Sequence, residues 1–204
     1  MLRLGVLLSG GGRTLENLAA CIRSGQLPAD IAVVVSSHPG AFGLERARRL
    51  GLPHEAVDYR EAGPEFSGRI AALLDGARTD LVVMAGFIRW WEIPERYRGR
   101  VMNIHPALLP AFGGQGLYGE RVHRAVLSAG AKFSGATVHF VDEEYDHGPI
   151  ILQRVVPVLP GDSPETLAER VFAEECLAYP EAIRLYAEER LEVRDGKVII
   201  RERN

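Results

Sequence analysis

Short apolar runs alternate with amphipathic segments through the first half of the chain, and this rhythm limits the possible folds more than any other feature. Short, unbroken apolar runs are typical of strands buried in a parallel sheet, and amphipathic segments of helical period are typical of the helices that cover it. The predicted strands are residues 4–8, 31–36 and 81–85, a weaker one near 54–57, and one leading into Asn103. The predicted helices are residues 14–24, 41–50 and 65–75. This order predicts a doubly wound α/β fold with a mostly parallel sheet.

The rhythm changes after Pro110. A glycine-rich loop begins at Gly113, a helix is predicted over Glu120–Ser128, and two longer strands at residues 134–140 and 150–158 follow with only a turn between them. Strands joined without a helix favour antiparallel pairing at the sheet edge.

The last quarter of the chain predicts a long helix and a hairpin. Ser163 is the expected N-cap, with proline at the first helical position. The helix is expected to run towards Glu189 with a break before Pro180, and a terminal hairpin is expected around Asp195 and Gly196.

Composition bounds the function. A length of 204 residues, 47% of them hydrophobic and 25% charged, is typical of one soluble globular domain covering 1–204. A net charge of -3 lacks the excess of positive charge that is typical of proteins that bind nucleic acid. Every apolar run is too short for a membrane span or a secretory signal, and Cys21 and Cys176 are expected as reduced thiols. We therefore expect a cytoplasmic protein with neither nucleic-acid nor membrane partners.

Two polar side chains, Asn103 and His105, follow a predicted strand at alternate positions, directly before Pro106. Alternate residues point to one face, and proline ends the strand because it lacks the ladder N–H. Both are expected at the C-terminal end of a strand, where open α/β sheets bind ligands. An amide donor beside an imidazole is suited to polarising a carbonyl and moving a proton. The alternative is a buried structural histidine and a turn-forming asparagine.

A glycine-rich loop with the sequence SGGGRT occupies residues 9–14, between the first predicted strand and helix. Glycines allow close backbone approach, and a helix N-terminus directs N–H groups and a positive dipole end at an anion. The loop has neither the G-x-G-x-x-G spacing of dinucleotide sites nor the Lys-Ser/Thr pair of nucleotide loops. It predicts a site for the phosphate of a small metabolite, and a merely tight turn is the alternative.

The turn between the two edge strands carries four acidic residues. Three of them, Asp142, Glu143 and Glu144, are expected to be solvated. Asp146 lies shortly before a Gly-Pro pair that leads into the next strand, so it is expected near His105, raising the pKa of that ring or accepting a proton through water. His139 and His147 are expected to be structural, and because no histidine has a metal-ligand spacing we predict no metal.

Four segments together resemble the folate-dependent formyltransferases: NIHPALLP at 103–110, TVHFV at 137–141, DHGPIILQ at 146–153 and AGFIR at 85–89. The resemblance runs from residue 4 to about residue 191. It implies a Rossmann-like domain whose N-terminal half binds phosphate and whose C-terminal half completes a folate site. It further implies transfer of a formyl group from 10-formyltetrahydrofolate to the amine of glycinamide ribonucleotide, in de novo purine biosynthesis.

Site residues follow from the resemblance by position. Asn103 and His105 are implied to stabilise the oxyanion, and Asp146 is implied to keep the imidazole cationic and to handle the proton. The residues implied to contact the substrate are Gly12, Arg13 and Thr14, at its phosphate, and Glu175. The residues implied to bind folate are Ile88, Arg89, Trp90, Trp91, Asn103, Val141, Asp142 and Asp146, and the Thr137 hydroxyl is implied to hold a water.

Three departures from the family pattern affect these expectations. Where relatives have Gly-Ser-Asn this chain has Gly12-Arg13-Thr14, which changes side-chain contacts to phosphate but not backbone ones. Trp90 and Trp91 replace smaller aliphatic residues. The segment 113–122 is long, and we expect it to act as a mobile lid.

Four alternatives remain. The first is a formyltransferase for another phosphorylated or sugar amine, and the second is a formyltetrahydrofolate hydrolase, whose family has a second histidine where Pro106 stands. A tRNA formyltransferase would need a further domain and a basic face, and a metabolite-binding module would leave the polar trio without a joint purpose. The expected partners are small molecules, and the expected state is a monomer or weak homodimer.

Overall fold

A computed structural model describes residues 1–202 of the chain. The chain divides into two compact units, one of residues 1–102 and one that begins at Asn103. Within residues 1–202, no helix is both long and apolar enough to cross a membrane. Cys21 and Cys176 are half-buried and are not joined in a disulfide.

The first unit is built on four parallel strands in the order β3-β2-β1-β4. The strands are β1 (Leu2–Leu8), β2 (Ala29–Ser36), β3 (His54–Ala56) and β4 (Leu81–Met84). The helices are α1 (Arg13–Arg23), α2 (Phe42–Arg49), α3 (Tyr59–Ala62) and α4 (Phe66–Gly76), and short 3-10 turns occupy Gly63–Glu65 and Glu95–Tyr97. Loops that follow parallel strands share one edge of the sheet, so the glycine loop after β1 and the segment after β4 are neighbours.

Close packing in this unit depends on small residues. A Cβ at Gly5, in the middle of β1, would lie 2.3 Å from Cδ2 of Leu74 on α4. Both Leu74 and the flanking Leu4 are fully buried. Glycine at this strand position therefore lets α4 lie directly on the sheet.

The second unit begins within β5 (Val101–His105), and its strands lie in the order β5-β6-β7. Its other elements are α5 (Glu120–Ser128), β6 (Phe133–Phe140), β7 (Ile150–Pro157), α6 (Pro164–Ala187), β8 (Leu191–Arg194) and β9 (Lys197–Ile200). The β6–β7 and β8–β9 pairs are antiparallel. The core of this unit joins α5, β6, β7 and α6 through Val126, Ala136, Val156, Leu167 and Val171.

The predicted fold class is confirmed: the protein is α/β, with a mostly parallel sheet and antiparallel strands towards its C-terminal part. The terminal hairpin is also confirmed. The segment 113–122 is a loop only until α5 begins at Glu120, and Val122 is buried within that helix.

The predicted break before Pro180 was wrong, because α6 runs through it. Ser163 caps the helix, accepting from Thr166 N while Thr166 Oγ1 accepts from Ser163 N. Proline inside a helix removes one backbone hydrogen bond. The buried residues on both sides of it, Tyr179 and Ile183, offset that loss by packing in the core of the unit.

Candidate active site

Asn103 and His105 lie at the C-terminal end of β5, as predicted. Their spacing places both side chains on the same face of the strand. The His105 ring is 3% exposed, whereas Asn103 is half-buried. The amide therefore lies closer to solvent than the imidazole does.

The two ring nitrogens of His105 face different partners. Nε2 is 2.8 Å from the carbonyl oxygen of Phe112, which only accepts, so Nε2 carries a hydrogen. Nδ1 lies 3.4 Å from Oδ2 of Asp146. A further proton on this ring would therefore lie on Nδ1, facing a carboxylate.

The expectation that Asp146 keeps His105 cationic is corrected. Burial lowers the pKa of His105, and the charge of Asp146 and the bond to Phe112 raise it only partly back towards its usual value. Desolvation disfavours the charged ring more than one carboxylate favours it. His105 therefore holds its second proton more weakly than an exposed histidine does.

Asp146 is fixed by backbone and side-chain donors. Its Oδ2 accepts from Gly114 N at 3.0 Å, and its Oδ1 accepts from Asn103 Nδ2 at 3.3 Å. A Cβ at Gly113 would lie 3.1 Å from the Asp146 Cβ, so glycine there permits the close approach. Burial raises the pKa of Asp146, but His139, His105 and the Gly114 N–H together outweigh it and lower the pKa. Asp146 is therefore held as a carboxylate.

His139 belongs to the site, although the sequence predicted only a structural strand residue. Its ring is 1% exposed, and its Nδ1 donates to the Phe140 carbonyl at 2.8 Å. The Nε2 lone pair then accepts from Asn103 Nδ2 at 3.2 Å. His139 thus orients the amide of Asn103. The sequence feature that could have indicated this role is the pair of polar residues at alternate positions, 137 and 139, along a mostly apolar strand.

The Thr137 hydroxyl does not match the water-holding role implied by resemblance. It donates to Ala107 O at 2.7 Å and accepts from Leu109 N at 3.1 Å and from Gln153 Nε2 at 3.0 Å. A hydroxyl has one hydrogen and two lone pairs, so these three bonds fill it. Thr137 and Gln153 instead fix the segment that follows β5.

The turn after β6 is tied together by Asp142. Its carboxylate accepts from Glu144 N at 2.9 Å and from His147 Nδ1 at 2.7 Å. This pairing raises the pKa of the exposed His147. Val141 and Asp142 are half-buried, whereas Glu143 and Glu144 are exposed as predicted.

In the first unit, the glycine loop leads from β1 into α1. Gly12 is the N-cap residue, with φ +78 and no side-chain cap. Arg13 is exposed, and Thr14 is half-buried in the first turn of α1. The first N–H groups of a helix lack partners within the helix and suit an anion.

The segment after β4 meets this loop. Ile88 N donates to Ser9 Oγ at 3.0 Å, and the Arg89 guanidinium lies 4.8 Å from the centre of the Tyr59 ring. Trp90 is 42% exposed, whereas Trp91 is 3% exposed and donates from Nε1 to Ser67 O at 3.2 Å. The Trp91 indole therefore packs in the core of the first unit, and its contact with folate stays a prediction.

Glu175 lies half-buried near the middle of α6. Its substrate contact stays a prediction. Among the described residues, no group of three or more His, Cys, Asp or Glu is arranged to hold a metal ion.

Replacement of Gly12 by alanine should distort the glycine loop. Its φ of +78 is unfavourable for a residue with a Cβ, by about 1–2 kcal/mol, and that Cβ would lie 2.7 Å from Gly43 Cα. Gly25→Ala is a matched control, because Gly25 has a φ of +76 with no atom near its added Cβ. In urea denaturation, Gly12→Ala should lower the free energy of unfolding more than Gly25→Ala does. Equal losses would contradict the close packing of Gly12 on Gly43.

Comparisons with known proteins bear on this geometry. A family model described as formyl transferase matches residues 2–183. A phosphoribosylglycinamide formyltransferase of Haemophilus influenzae is 36% identical over 96% of this chain and 92% of its own length. A crystal structure of glycinamide ribonucleotide transformylase 1 from Symbiobacterium toebii is 44% identical, with a TM-score of 0.92, and covers 99% of this chain and 95% of its own.

A chloroplastic phosphoribosylglycinamide formyltransferase of Vigna unguiculata is 41% identical over 98% of this chain. The chain spans 66% of that relative's length and 20% of the trifunctional purine biosynthetic protein of Gallus gallus. The match covers the first compact unit from residue 2 and the second unit as far as residue 183, within α6. The chain therefore belongs to the formyl transferase family, as its sequence motifs predicted.

Proposed function

We propose that this protein transfers a formyl group from 10-formyltetrahydrofolate to the amine of glycinamide ribonucleotide, in purine biosynthesis. One observation carries the proposal: Asn103, His105 and Asp146 converge, with 3.3 Å between Asn103 Nδ2 and Asp146 Oδ1 and 3.4 Å between His105 Nδ1 and Asp146 Oδ2. An amide donor and an imidazole on either side of one carboxylate are groups suited to acyl transfer to an amine.

Asn103 stabilises the oxyanion. When the substrate amine attacks the formyl carbon, its carbonyl oxygen becomes negative and requires a donor. The hydrogen bond from Asn103 Nδ2 to Asp146 is long, at 3.3 Å. The amide can therefore exchange this acceptor for a nearer oxyanion at a small cost in free energy. The second amide hydrogen stays on His139 and keeps the group oriented.

His105 and Asp146 move the proton. The attacking amine loses a proton, which Asp146 takes up directly or through a water. The folate nitrogen gains a proton when its bond to the formyl carbon breaks, and His105 supplies it from Nε2 once that nitrogen leaves Phe112. As Nε2 gives up its hydrogen, Asp146 passes the proton taken from the amine to Nδ1, 3.4 Å away, so the ring stays neutral. Proton exchange with solvent then restores the hydrogen on Nε2. One proton leaves the amine and one reaches the folate, so the relay balances.

Each unit has its own set of proposed binding residues. In the first unit, the backbone of Gly12, Arg13 and Thr14 holds the substrate phosphate, and Ile88, Arg89 and Trp90 contact folate. In the second unit, Val141, Asp142 and Asp146 contact folate, and Glu175 contacts the substrate. The exposure of Ile88 and Trp90, 39% and 42%, leaves both side chains accessible to a flat ring.

A comparison of acceptors tests the proposal. Formation of tetrahydrofolate is followed by absorbance with glycinamide ribonucleotide, with its dephosphorylated form, with a tRNA acceptor and with water alone. We expect rapid turnover with the ribonucleotide, slow but measurable turnover with its dephosphorylated form, and slow or undetectable turnover with the tRNA acceptor and with water. Equal turnover in water would instead identify a hydrolase, and binding of folate without any turnover would identify a binding module.

A further inference from the structure

The glycine loop is anchored on its carbonyl side by α2. Gly43 N donates to Gly10 O at 2.9 Å, and Arg46 Nη1 donates to Gly11 O at 2.8 Å. Two successive peptide groups of the loop are therefore fixed from the same helix, one by a backbone donor and one by a side chain.

These anchors determine where the loop amides point. In a planar trans peptide the C=O and the N–H of the next residue point in opposite directions. With the Gly10 and Gly11 carbonyls directed at α2, the N–H groups of Gly11 and Gly12 are directed away from it. Successive backbone N–H groups exposed on one side of a loop can form an anion-binding concavity.

Arg46 is itself held in place. Its Nε lies 3.1 Å from Oε1 of Glu16, close enough for an ion pair although misaligned for a hydrogen bond. Its guanidinium lies 4.9 Å from the centre of the Phe42 ring. The side chain is 20% exposed, so the three contacts fix it between α1 and α2.

Arg49 provides a contrast on the same helix. Its side chain is 63% exposed, pairs with Glu45 at 2.8 Å and lies 5.7 Å from the centre of the Phe42 ring. Arg49 carries the same charge as Arg46 and also lies near the Phe42 ring. Its ion pair is with Glu45, whereas Arg46 contacts Glu16 and the Gly11 carbonyl.

We propose that Arg46 is a positioning residue for the phosphorylated acceptor: it holds the Gly11 carbonyl so that the loop amides converge on the phosphate. The inference rests on the proposed function, in which this loop receives that phosphate. Arg46 acts through the loop, and its charge is largely offset by Glu16.

The test measures KM and kcat for glycinamide ribonucleotide and for its dephosphorylated form, with the folate donor saturating. Arg46→Gln should raise KM for the ribonucleotide at least about tenfold, the effect typical of one lost charge-assisted hydrogen bond. KM for the dephosphorylated acceptor and for folate should stay within about twofold, and Arg49→Gln should match the wild type. An equal rise for both acceptors, or no rise, would overturn the proposal.

Two further variants separate positioning from simple charge. Arg46→Lys keeps the charge but loses the guanidinium group that reaches Gly11 and Glu16 together, so its KM should stay well above that of the wild type.

Glu16→Gln removes a partner of Arg46 on an exposed helix face. If Arg46 acts by positioning the loop, this variant should have a higher KM for the ribonucleotide. If charge alone attracted the phosphate, loss of this acid would lower KM. Full rescue by lysine, or a lower KM in Glu16→Gln, would overturn the proposal even if Arg46→Gln failed to fold.

Failure of the proposed function has a different signature. In that case the wild-type protein would not turn over the ribonucleotide, or would not distinguish it from the dephosphorylated form. A wild type that prefers the phosphorylated acceptor, together with an Arg46→Gln variant that retains this preference, would refute the role of Arg46 alone.

Discussion

Replacing Asn103 with alanine should reduce turnover by about two to three orders of magnitude, because one lost oxyanion donor typically costs ~3 kcal/mol of transition-state stabilisation. The amide is positioned for this role by His139 at 3.2 Å. The change should fall mainly on kcat, since the oxyanion exists only in the transition state. Steady-state kinetics with both substrates varied would measure it.

The control for this variant is its folding. Alanine leaves Asp146 Oδ1 and His139 Nε2 without the amide donor, so some loss of stability is expected, on the order of 1–3 kcal/mol. Thermal unfolding and the dissociation constant of a folate analogue would show whether the folded site persists. A correctly folded Asn103→Ala protein with wild-type turnover would contradict the oxyanion role.

Replacing Asp146 with asparagine should reduce turnover by a factor of about 10²–10⁴, the range typical for loss of an acid–base group. Asparagine suits the test because Asp146 has a φ of 54, and asparagine tolerates the left-handed region better than most residues. The backbone should therefore keep its conformation while the carboxylate charge is lost.

The same variant predicts a change in pH dependence. The Asp146 carboxylate raises the pKa of His105 against the lowering effect of burial. Without that charge the pKa of His105 should fall further, so the ring should lose its second proton at a lower pH than in the wild type. Ring ¹⁵N chemical shifts across a pH titration would measure this. A His105 pKa that rises or stays constant would contradict the coupling.

Glu144→Gln is the matched control for Asp146. It removes one carboxylate from the same turn, but the Glu144 side chain is exposed. The backbone N–H of Glu144 donates to Asp142, and the substitution leaves that N–H in place. We expect turnover within about twofold of the wild type, as is usual for exposed surface charges. A loss as large as that of Asp146→Asn would mean that turnover depends on the charge of the whole turn and not on Asp146 in particular.

Much of the site could be predicted because its signals are local. Pro106 marks the end of β5, so the positions of Asn103 and His105 followed from strand geometry alone. The glycine loop lay between a predicted strand and a predicted helix, and the structure has it between β1 and α1. The expected approach of Asp146 to His105 is also observed, at 3.4 Å.

Contacts that join distant positions could not be predicted in the same way. His139 is 36 positions from Asn103, and which of its neighbours meets that amide depends on how β6 lies beside the end of β5. The three bonds of Thr137 and the burial of Trp91 likewise depend on segments far along the chain. The role of His139 was predicted from its place in a strand, and those of Thr137 and Trp91 from the family resemblance, and neither basis specifies the contacts of a side chain.

The amino-acid sequence by itself determined the α/β order of elements, the glycine loop, the polar pair at the end of β5 and the family, because periodicity, glycine, proline and short motifs act over a few neighbouring residues. The tertiary structure alone decided the direction of the His105 pKa shift, the entry of His139 into the site and the anchoring of the glycine loop by Arg46. These depend on burial and on partners brought together across tens of residues, and the energy of a charge or a hydrogen bond is determined by those surroundings.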